Sequence, residues 1–316
     1  MKKIDPKNKT CIYLDQFVVS NLISSEDALW LEIKNLLEVS HVNNKIFCPL
    51  SVEHILETAK KSLENAIEHD EYFRKLSDNY IFQNDPFLTS QLISSLIRKN
   101  KFTLNTFLKE ASNKKMNEFY SDINKNNEIF DQSIKYKTSS QNELRKVINS
   151  KAVKKTEAIL YNTIKKLQVE TFSNRLSEYI KLEKIHIRPD DYGEHQFPNW
   201  IDQLLFQLTY KHKFKEKQFK LLLNEFQKYG FDRIPSLDIK SSMEAYLAVK
   251  NKQENTADHI DLMRISSCLF STDIFFTDKK RKFEICALQL DKKYKTKVFS
   301  GTPSDLIEFK NYLTNL

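Results

Sequence analysis

Glycine is scarce in this chain, whose 316 residues include only three, at Gly193, Gly230 and Gly301. A Walker loop or a Rossmann fingerprint needs clustered glycines, because the backbone must approach the phosphate groups of a nucleotide closely. Glycines this far apart cannot build either motif. The sequence therefore excludes nucleotide-dependent enzymes of those two classes.

The cysteines are few and widely separated. Neither a Cys-x-x-Cys pair nor a Cys/His cluster occurs, which argues against a zinc site of the usual spacing. Each cysteine lies in an apolar context, so we expect buried free thiols rather than disulfides. The four positions are Cys11, Cys48, Cys268 and Cys286.

Long hydrophobic runs are also missing. No stretch approaches the roughly 20 apolar residues of a membrane-spanning helix. The basic start, MKKIDPKNKTCIYLDQF, is broken by Asp5, Pro6 and further charges where a signal peptide would need an apolar core. We therefore expect a soluble, cytoplasmic protein that has no membrane partner.

The composition is that of a folded protein with a basic surface. Hydrophobic residues make up 40% of the chain and aromatic residues 12%, which is enough for a substantial core. Fifty Lys and Arg residues against 42 Asp and Glu residues give a net charge of +8. This excess favours a polyanionic partner such as nucleic acid, although only weakly. A homo-oligomer or a regulatory protein partner is left open.

Strand-like segments occur near both ends of the chain. They are short, rich in β-branched or aromatic residues and bounded by polar residues, and they lie at 11–14, 45–48, 273–276 and 297–300. Helical patterns lie between them, and strands that alternate with helices form a parallel sheet covered on both faces. The sequence therefore predicts an α/β fold.

The middle of the chain differs from the ends. From about 60 to 245 the apolar residues recur at helical spacing, and no confident strand is found. We therefore predict a split α/β domain, formed by 1–60 and 246–316, and an all-helical insertion at 61–245.

Acidic residues follow two of the predicted strands. Asp15 comes directly after IYL, and Asp278 comes after IFFT. Because parallel strands end at the same edge of a sheet, and ligands of such sheets bind at that edge, we expect the two carboxylates to share one site. Taken alone, however, Asp15 could simply cap the helix that follows it.

Two predicted helices supply further acids. Glu57 lies on the helix after the second strand, with Glu53 one turn earlier on the same face. Asp258 and Asp261 are three residues apart on the helix that precedes DIFF. If Thr256 caps that helix, Asp258 lies in its first turn, where a negative charge is stabilising without any metal. Carboxylates in this number suit Mg²⁺ or Mn²⁺ rather than zinc.

These segments resemble the motifs of PIN-like nuclease domains. IYLDQFVVSNL is similar to the first strand and first acid of that fold, and CPLSVEHILET to a Ser-x-x-His-x-x-Glu form of its second motif. DHIDLMRISSCLFSTDIFFTDKK is similar to the third and fourth motifs. The resemblance covers roughly 11–60 and 250–301 and implies a PIN-like three-layer α/β/α fold around a central parallel sheet.

The resemblance implies roles for individual residues. The metal-binding and catalytic acids would be Asp15, Glu57, Asp261 and Asp278, with Glu53 and Asp258 as alternates for the second and third. Ser51, His54 and Thr277 would orient those ligands or the phosphate, and His54 is expected to pack or hydrogen-bond rather than to catalyse. The basic run after the last acid would bind nucleic acid; it comprises Lys279, Lys280, Arg281 and Lys282.

The function that this resemblance implies is metal-dependent hydrolysis of phosphodiester bonds. Mg²⁺ or Mn²⁺ would supply a deprotonated water and stabilise the leaving oxygen. The expected activity is that of an endonuclease, with RNA favoured over DNA, and it could serve as a toxin-like or antiviral defence effector. The alternative is a catalytically inactive PIN-like module that binds nucleic acid or protein.

Overall fold

The structure is a computed structural model, and it describes residues 9–111, 116–151, 156–182, 189–192 and 195–316. The strands in these ranges are β1 (Thr10–Leu14), β2 (Ile46–Phe47), β3 (Tyr80–Phe82), β4 (Leu108–Glu110), β5 (Pro189–Tyr192), β6 (His195–Pro198), β7 (Ile274–Phe276) and β8 (Lys297–Phe299). The helices are α1 (Gln16–Ser24), α2 (Ala28–Val42), α3 (Val52–Thr58), α4 (Leu63–Ser77), α5 (Phe87–Arg98), α6 (Leu104–Phe107), α7 (Met116–Lys151), α8 (Glu157–Leu182), α9 (Trp200–Phe206), α10 (Glu216–Tyr229), α11 (Pro235–Val249), α12 (Thr256–Cys268), α13 (Lys279–Ala287), α14 (Leu290–Tyr294) and α15 (Pro303–Thr314).

The described residues group into two compact units. The first is drawn from Met1–Gln83, Thr103–Asn127 and Ser267–Leu316, and the second from Asn84–Phe102 and Glu128–Ser266. These boundaries differ from the predicted ones. Residues 61–83 and 103–127, which we predicted to belong to the insertion, lie in the first unit, whereas 246–266 lies in the second.

The first unit contains a four-stranded parallel sheet. Its strand order is β2-β1-β7-β8, and the register pairs Leu14 with Phe276 and Phe276 with Phe299. This confirms the prediction of an α/β fold whose strands come from both ends of the chain. The two strand-rich ends form one sheet because each supplies two short strands with apolar side chains on both faces.

Helices cover both faces of this sheet. On one face, the Phe276 ring lies 6.2 Å from the Trp30 ring of α2 and 5.1 Å from the Phe309 ring of α15, measured between centroids. On the other face, the Tyr13 ring stacks on Phe275 at 4.5 Å and on His54 of α3 at 5.0 Å. Such two-sided burial is typical of a parallel sheet.

The segment predicted to be wholly helical also contains antiparallel strand pairs. β3 pairs with β4 in the first unit, and β5 pairs with β6 in the second. β3 also continues the main sheet locally, because Leu50 forms a parallel bridge with Ile81. Each of these strands has only three or four residues, too few for an alternating pattern to stand out from the helical spacing around it.

The four cysteines are free, as predicted, and three of them are buried. Burial raises the pKa of the Cys11 thiol well above its usual value, and the nearby Asp273 carboxylate raises it further. A thiol that stays protonated at neutral pH is a poor nucleophile, so Cys11 serves packing in the sheet.

The second unit is helical at its centre. α8 packs against α10 and α11, and α5 packs against α9, α10 and α11. Three phenylalanine rings meet edge to face where these helices approach each other: Phe172 lies 4.9 Å from Phe226, and Phe226 lies 5.3 Å from Phe231. Edge-to-face contacts of this kind add to the free energy gained by burying the rings.

A buried histidine makes the second unit sensitive to acid. His212 is 7% exposed, and its Nε2 lies 3.0 Å from the Ser90 hydroxyl. Burial, together with the positive charges of Lys211 and Arg98, lowers the pKa of His212 to about 4. In the unfolded chain the pKa of a histidine is about 6.5. The unfolded state therefore binds the proton more readily than the folded state.

We expect the free energy of unfolding to fall as the pH is lowered from about 6.5 towards 4, by up to about 3 kcal/mol from this residue. Well above pH 6.5 neither the folded nor the unfolded state carries the proton, so this histidine does not lower the free energy of unfolding there. Urea unfolding of the wild type and of His212→Gln at several pH values would measure it. The wild-type curve should fall more steeply than that of the variant; parallel curves would contradict the assignment.

Candidate functional site

Asp15 lies at the carboxyl end of β1 and is 6% exposed. It caps α1, because its Oδ1 accepts a hydrogen bond of 2.7 Å from the backbone N–H of Gln16. Its Oδ2 accepts a longer bond, of 3.4 Å, from the hydroxyl of Thr277 on the neighbouring strand. The parallel register of β1 and β7 brings these two side chains together.

Asp278 follows Thr277 and lies at the same edge of the sheet. It caps α13 and accepts a hydrogen bond of 2.9 Å from the backbone N–H of Arg281. Its side chain is half-buried. Asp15 and Asp278 therefore follow adjacent parallel strands, and each carboxylate is stabilised at the positive end of a helix.

A third carboxylate that our sequence reasoning did not assign to the site lies beside the next strand. Asp305 of α15 accepts hydrogen bonds at Oδ2 from the backbone N–H and the hydroxyl of Ser300. Its Oδ1 accepts from Lys282 at 2.6 Å. Burial acts to raise the pKa of Asp305, but the bonds from Lys282 and Ser300 outweigh it, so the pKa lies below its usual value. The signal in the sequence was Ser300, a polar residue directly after β8.

The α3 residues predicted to surround the site form an ordered cap. The Ser51 side chain accepts from the backbone N–H of His54, while His54 Nδ1 accepts from the backbone N–H of Ser51 at 3.0 Å. His54 is 1% exposed and packs between the rings of Tyr13 and Phe73. In this arrangement the imidazole holds the start of α3 in place.

The two candidate acids on α3 differ in exposure. Glu53 is 4% exposed, whereas Glu57 is half-buried. A side-chain hydrogen bond of 3.2 Å from Gln16 to Thr58 joins α3 to α1. Since Gln16 follows Asp15 and Thr58 follows Glu57, this bond brings the end of α3 close to the start of α1, on the side where Asp15 lies.

The third predicted acid and its alternate belong to the second unit. Asp258 and Asn255 form a reciprocal pair, in which each side chain accepts from the backbone N–H of the other at 3.0 and 2.8 Å. The cap of α12 is therefore Asn255, not Thr256 as predicted. Asp261 lies 3.6 Å from Arg264, which is buried. Within the second unit both acids thus take part in local polar contacts of α12.

The basic run after Asp278 is not uniformly exposed. Lys279 and Lys280 are exposed, and Lys282 is paired with Asp305. Arg281 is fully buried and bonds to the equally buried Glu284 at 2.6 Å between Nη1 and Oε2. The structure therefore places the Arg281 side chain away from solvent, and its role in binding nucleic acid stays a prediction. Consecutive helical residues turn by about 100°, so four basic residues in a row cannot all face solvent on a packed helix.

The carboxylate oxygens of Asp15 and Asp278 are of the type that a hard divalent cation prefers. The described side chains do not, however, supply a complete set of ligands. Among the described residues, no group of three or more His, Cys, Asp or Glu side chains could hold a metal ion. Mg²⁺ commonly keeps several waters and is bound by one or two carboxylates together with substrate phosphates. Asp15 and Asp278 fit that kind of site.

Comparisons with known proteins add no identification: no family model, curated protein or solved structure matches this chain. The resemblance to PIN-like domains therefore rests on the motifs alone. Within the described ranges, no helix combines the length and the apolar character that crossing a membrane requires.

Proposed function

We propose that this protein is a metal-dependent endonuclease that hydrolyses phosphodiester bonds, with RNA favoured over DNA as its substrate. The observation that carries the proposal is the pair of aspartates, Asp15 and Asp278, after adjacent strands of a parallel sheet, with the Thr277 hydroxyl donating to Asp15. Ligands of open parallel sheets bind at this edge. The order of the parallel strands, with an aspartate after β1 and after β7, favours a PIN-like three-layer fold for the first unit.

The chain's own residues would hold and orient the reacting groups. Asp15 and Asp278 would bind Mg²⁺ or Mn²⁺ together with phosphates of the substrate. When bound, the cation supplies an activated water and stabilises the leaving oxygen. Thr277 fixes the orientation of the Asp15 carboxylate through its hydrogen bond. The exposed Lys279 and Lys280 would hold phosphates of the strand beyond the site.

One observation favours a second candidate, an inactive PIN-like module that binds nucleic acid or protein. Asp15 and Asp278 both act as helix N-caps, and an N-cap is stabilising without any metal. A chain that had lost catalysis would still keep aspartate or asparagine at these positions. This candidate predicts nucleic-acid or protein binding without cleavage.

A cleavage assay separates the two candidates. Purified protein is incubated with end-labelled single-stranded RNA and with DNA of the same sequence, in Mg²⁺, in Mn²⁺ or in EDTA. The endonuclease predicts internal cuts that EDTA prevents and that occur faster in RNA. Binding of the RNA without cuts in either metal would favour the inactive module, and cuts that persist in EDTA would contradict a metal mechanism.

Neutralising Lys279 and Lys280 together should weaken RNA binding. If each lysine contacts one phosphate, the slope of log affinity against log salt should become shallower by about 1.4, since a single strand contributes about 0.7 for each contact. Fluorescence anisotropy of a labelled RNA at several salt concentrations measures this slope.

The matched control for that experiment is Lys45→Gln with Lys295→Gln. Both lysines are exposed. Lys45 directly precedes β2 and Lys295 lies two residues before β8, so both lie at the opposite edge of the sheet. This control removes the same charge from the protein and should leave the slope near that of the wild type. Equal changes in the two double variants would mean that net charge, not the position of the lysines, determines binding.

A further inference from the structure

The second unit contains a cavity of about 430 Å³. Its walls come from α7, α8, α9 and α11, and all of its lining residues belong to this unit. Small-molecule sites in proteins generally have a volume of about 300–1,000 Å³ and a mostly apolar lining with a few polar groups. The cavity matches that description in both size and lining.

Apolar side chains dominate its mouth and walls. Leu144 of α7 is 59% exposed and Leu167 of α8 is 54% exposed, although both line the cavity. Trp200, Ile164 and Leu237 extend the apolar surface inwards. Water in contact with these side chains would be released by an apolar ligand, which favours binding.

The polar side of the cavity is a hydrogen-bonded network around one carboxylate. Glu244 accepts from the side-chain amide of Gln168 at 2.8 Å and from that of Gln141 at 3.4 Å. The Ser241 hydroxyl donates to the Gln168 carbonyl, which fixes the orientation of that amide. A carboxylate has about four positions at which it can accept hydrogen bonds, so Glu244 can still accept from a ligand.

The two charged side chains of the lining have different partners. The Lys240 ammonium lies 3.7 Å from the Asp85 carboxylate and 4.0 Å from the centre of the Trp200 ring. In the part of the chain that the structure describes, the hydrogen bonds that Glu244 accepts come from those two neutral amides. Glu244 is thus a carboxylate beside an apolar wall whose hydrogen-bond donors are uncharged.

We propose that this cavity binds a small amphiphilic cation, whose apolar body lies against Leu144, Leu167 and Trp200 and whose ammonium group donates to Glu244. A hydrogen bond between two charged groups is stronger than one between neutral groups. The carboxylate would thus select a cationic ligand over a neutral ligand of the same shape. This proposal concerns a site within the second unit and does not depend on the proposed nuclease activity.

A matched pair of fluorescent ligands tests the proposal. Dansylcadaverine carries an apolar naphthalene body and a primary ammonium, and its N-acetyl derivative has the same body without the charge. Titrations that follow dansyl emission give both dissociation constants. We expect the wild type to bind the amine about tenfold more tightly than the acetylated compound.

Three variants assign the effect to the cavity. Glu244→Gln should remove the preference for the amine, because the amide keeps the size of the side chain but not its charge. Leu167→Ala should weaken binding of both compounds and retain the preference. Glu170→Gln, a neutralisation on the same helix as Leu167 but outside the lining of this cavity, should behave like the wild type.

The outcomes that would overturn the proposal are distinct. Equal affinity of the wild type for both compounds would show that Glu244 does not select charge. A preference that survives Glu244→Gln would place the cation elsewhere. Absence of binding of either compound at millimolar concentration would show that the cavity does not accept a ligand of this class. Circular dichroism of each variant confirms that it is folded.

Discussion

Replacing Asp15 with asparagine is expected to abolish metal-dependent cleavage of RNA while leaving the protein folded. Asparagine keeps the shape of the side chain and is as good an N-cap as aspartate, so α1 should form normally. It removes the negative charge that a divalent cation requires. Because loss of a residue that only orients a metal ligand costs 10–100-fold, loss of a ligand should lower the cleavage rate by about a hundredfold or more. RNA affinity should be unchanged or slightly higher, since a charge that repels phosphate is gone.

Asp27 provides a matched control for this substitution. It caps α2 in the way that Asp15 caps α1, accepting at Oδ1 from the backbone N–H of Leu29 and of Trp30, but it does not follow a strand of the sheet. Asp27→Asn should therefore cleave RNA like the wild type. If Asp15→Asn also cleaved RNA at the wild-type rate in saturating Mn²⁺, Asp15 would serve only as a helix cap. That result would contradict its proposed role as a metal ligand.

The largest loss of stability is expected from Arg281→Ala. The Arg281 and Glu284 side chains are both 0% exposed and form an ion pair at 2.6 Å. Removing the guanidinium leaves a carboxylate buried without its partner, which typically costs 3–5 kcal/mol of the free energy of unfolding, so we expect about 4 kcal/mol. Urea unfolding measures the difference.

Two comparisons make this result specific. Lys280→Ala removes an exposed charge next to Arg281 in the chain, and it should change the free energy of unfolding by no more than about 0.5 kcal/mol. Replacing the pair with apolar residues, Arg281→Met with Glu284→Leu, should recover most of the loss, because no unpaired charge is then buried. An Arg281→Ala protein as stable as Lys280→Ala would contradict the buried ion pair.

The parallel sheet could be predicted because its signals are local. IYL and IFF are short apolar segments followed within two residues by an aspartate, and each lies beside a helical pattern. A strand buried on both faces is apolar throughout, and the aspartate marks where it ends. The positions of Asp15 and Asp278 at one edge followed from the parallel arrangement, without knowledge of any side-chain contact.

The division into units could not be predicted in the same way. It depends on which distant segments pack together, and an apolar stripe on a helix does not identify its partner. Residues 103–127, for example, join the first unit partly through a hydrogen bond from the Tyr120 hydroxyl to the Lys61 carbonyl. Such a contact between residues far apart in the chain has no signature in a single sequence.

The contacts of two residues near the candidate site could not be predicted either, for physical reasons. The sequence pattern groups Arg281 with its basic neighbours, but one side of α13 must pack against the protein and Arg281 lies on that side. Asp305 lies in the first turn of α15, where an acidic residue is favourable without any further contact. Its contacts with Ser300 and Lys282 required the positions of β8 and α13 in space.

A metal site at Asp15 and Asp278 can be measured directly through the binding of Mn²⁺. Electron paramagnetic resonance reports free Mn²⁺, whose signal falls as the ion binds to protein, and it can be followed with and without an RNA oligonucleotide. We expect saturable binding by the wild type, strengthened by RNA, because phosphates complete the coordination. We also expect loss of that binding in the Asp15→Asn/Asp278→Asn double variant but not in Asp27→Asn. Equal Mn²⁺ binding by the wild type and the double variant, or no binding by the wild type even with RNA, would contradict a metal site at this edge of the sheet.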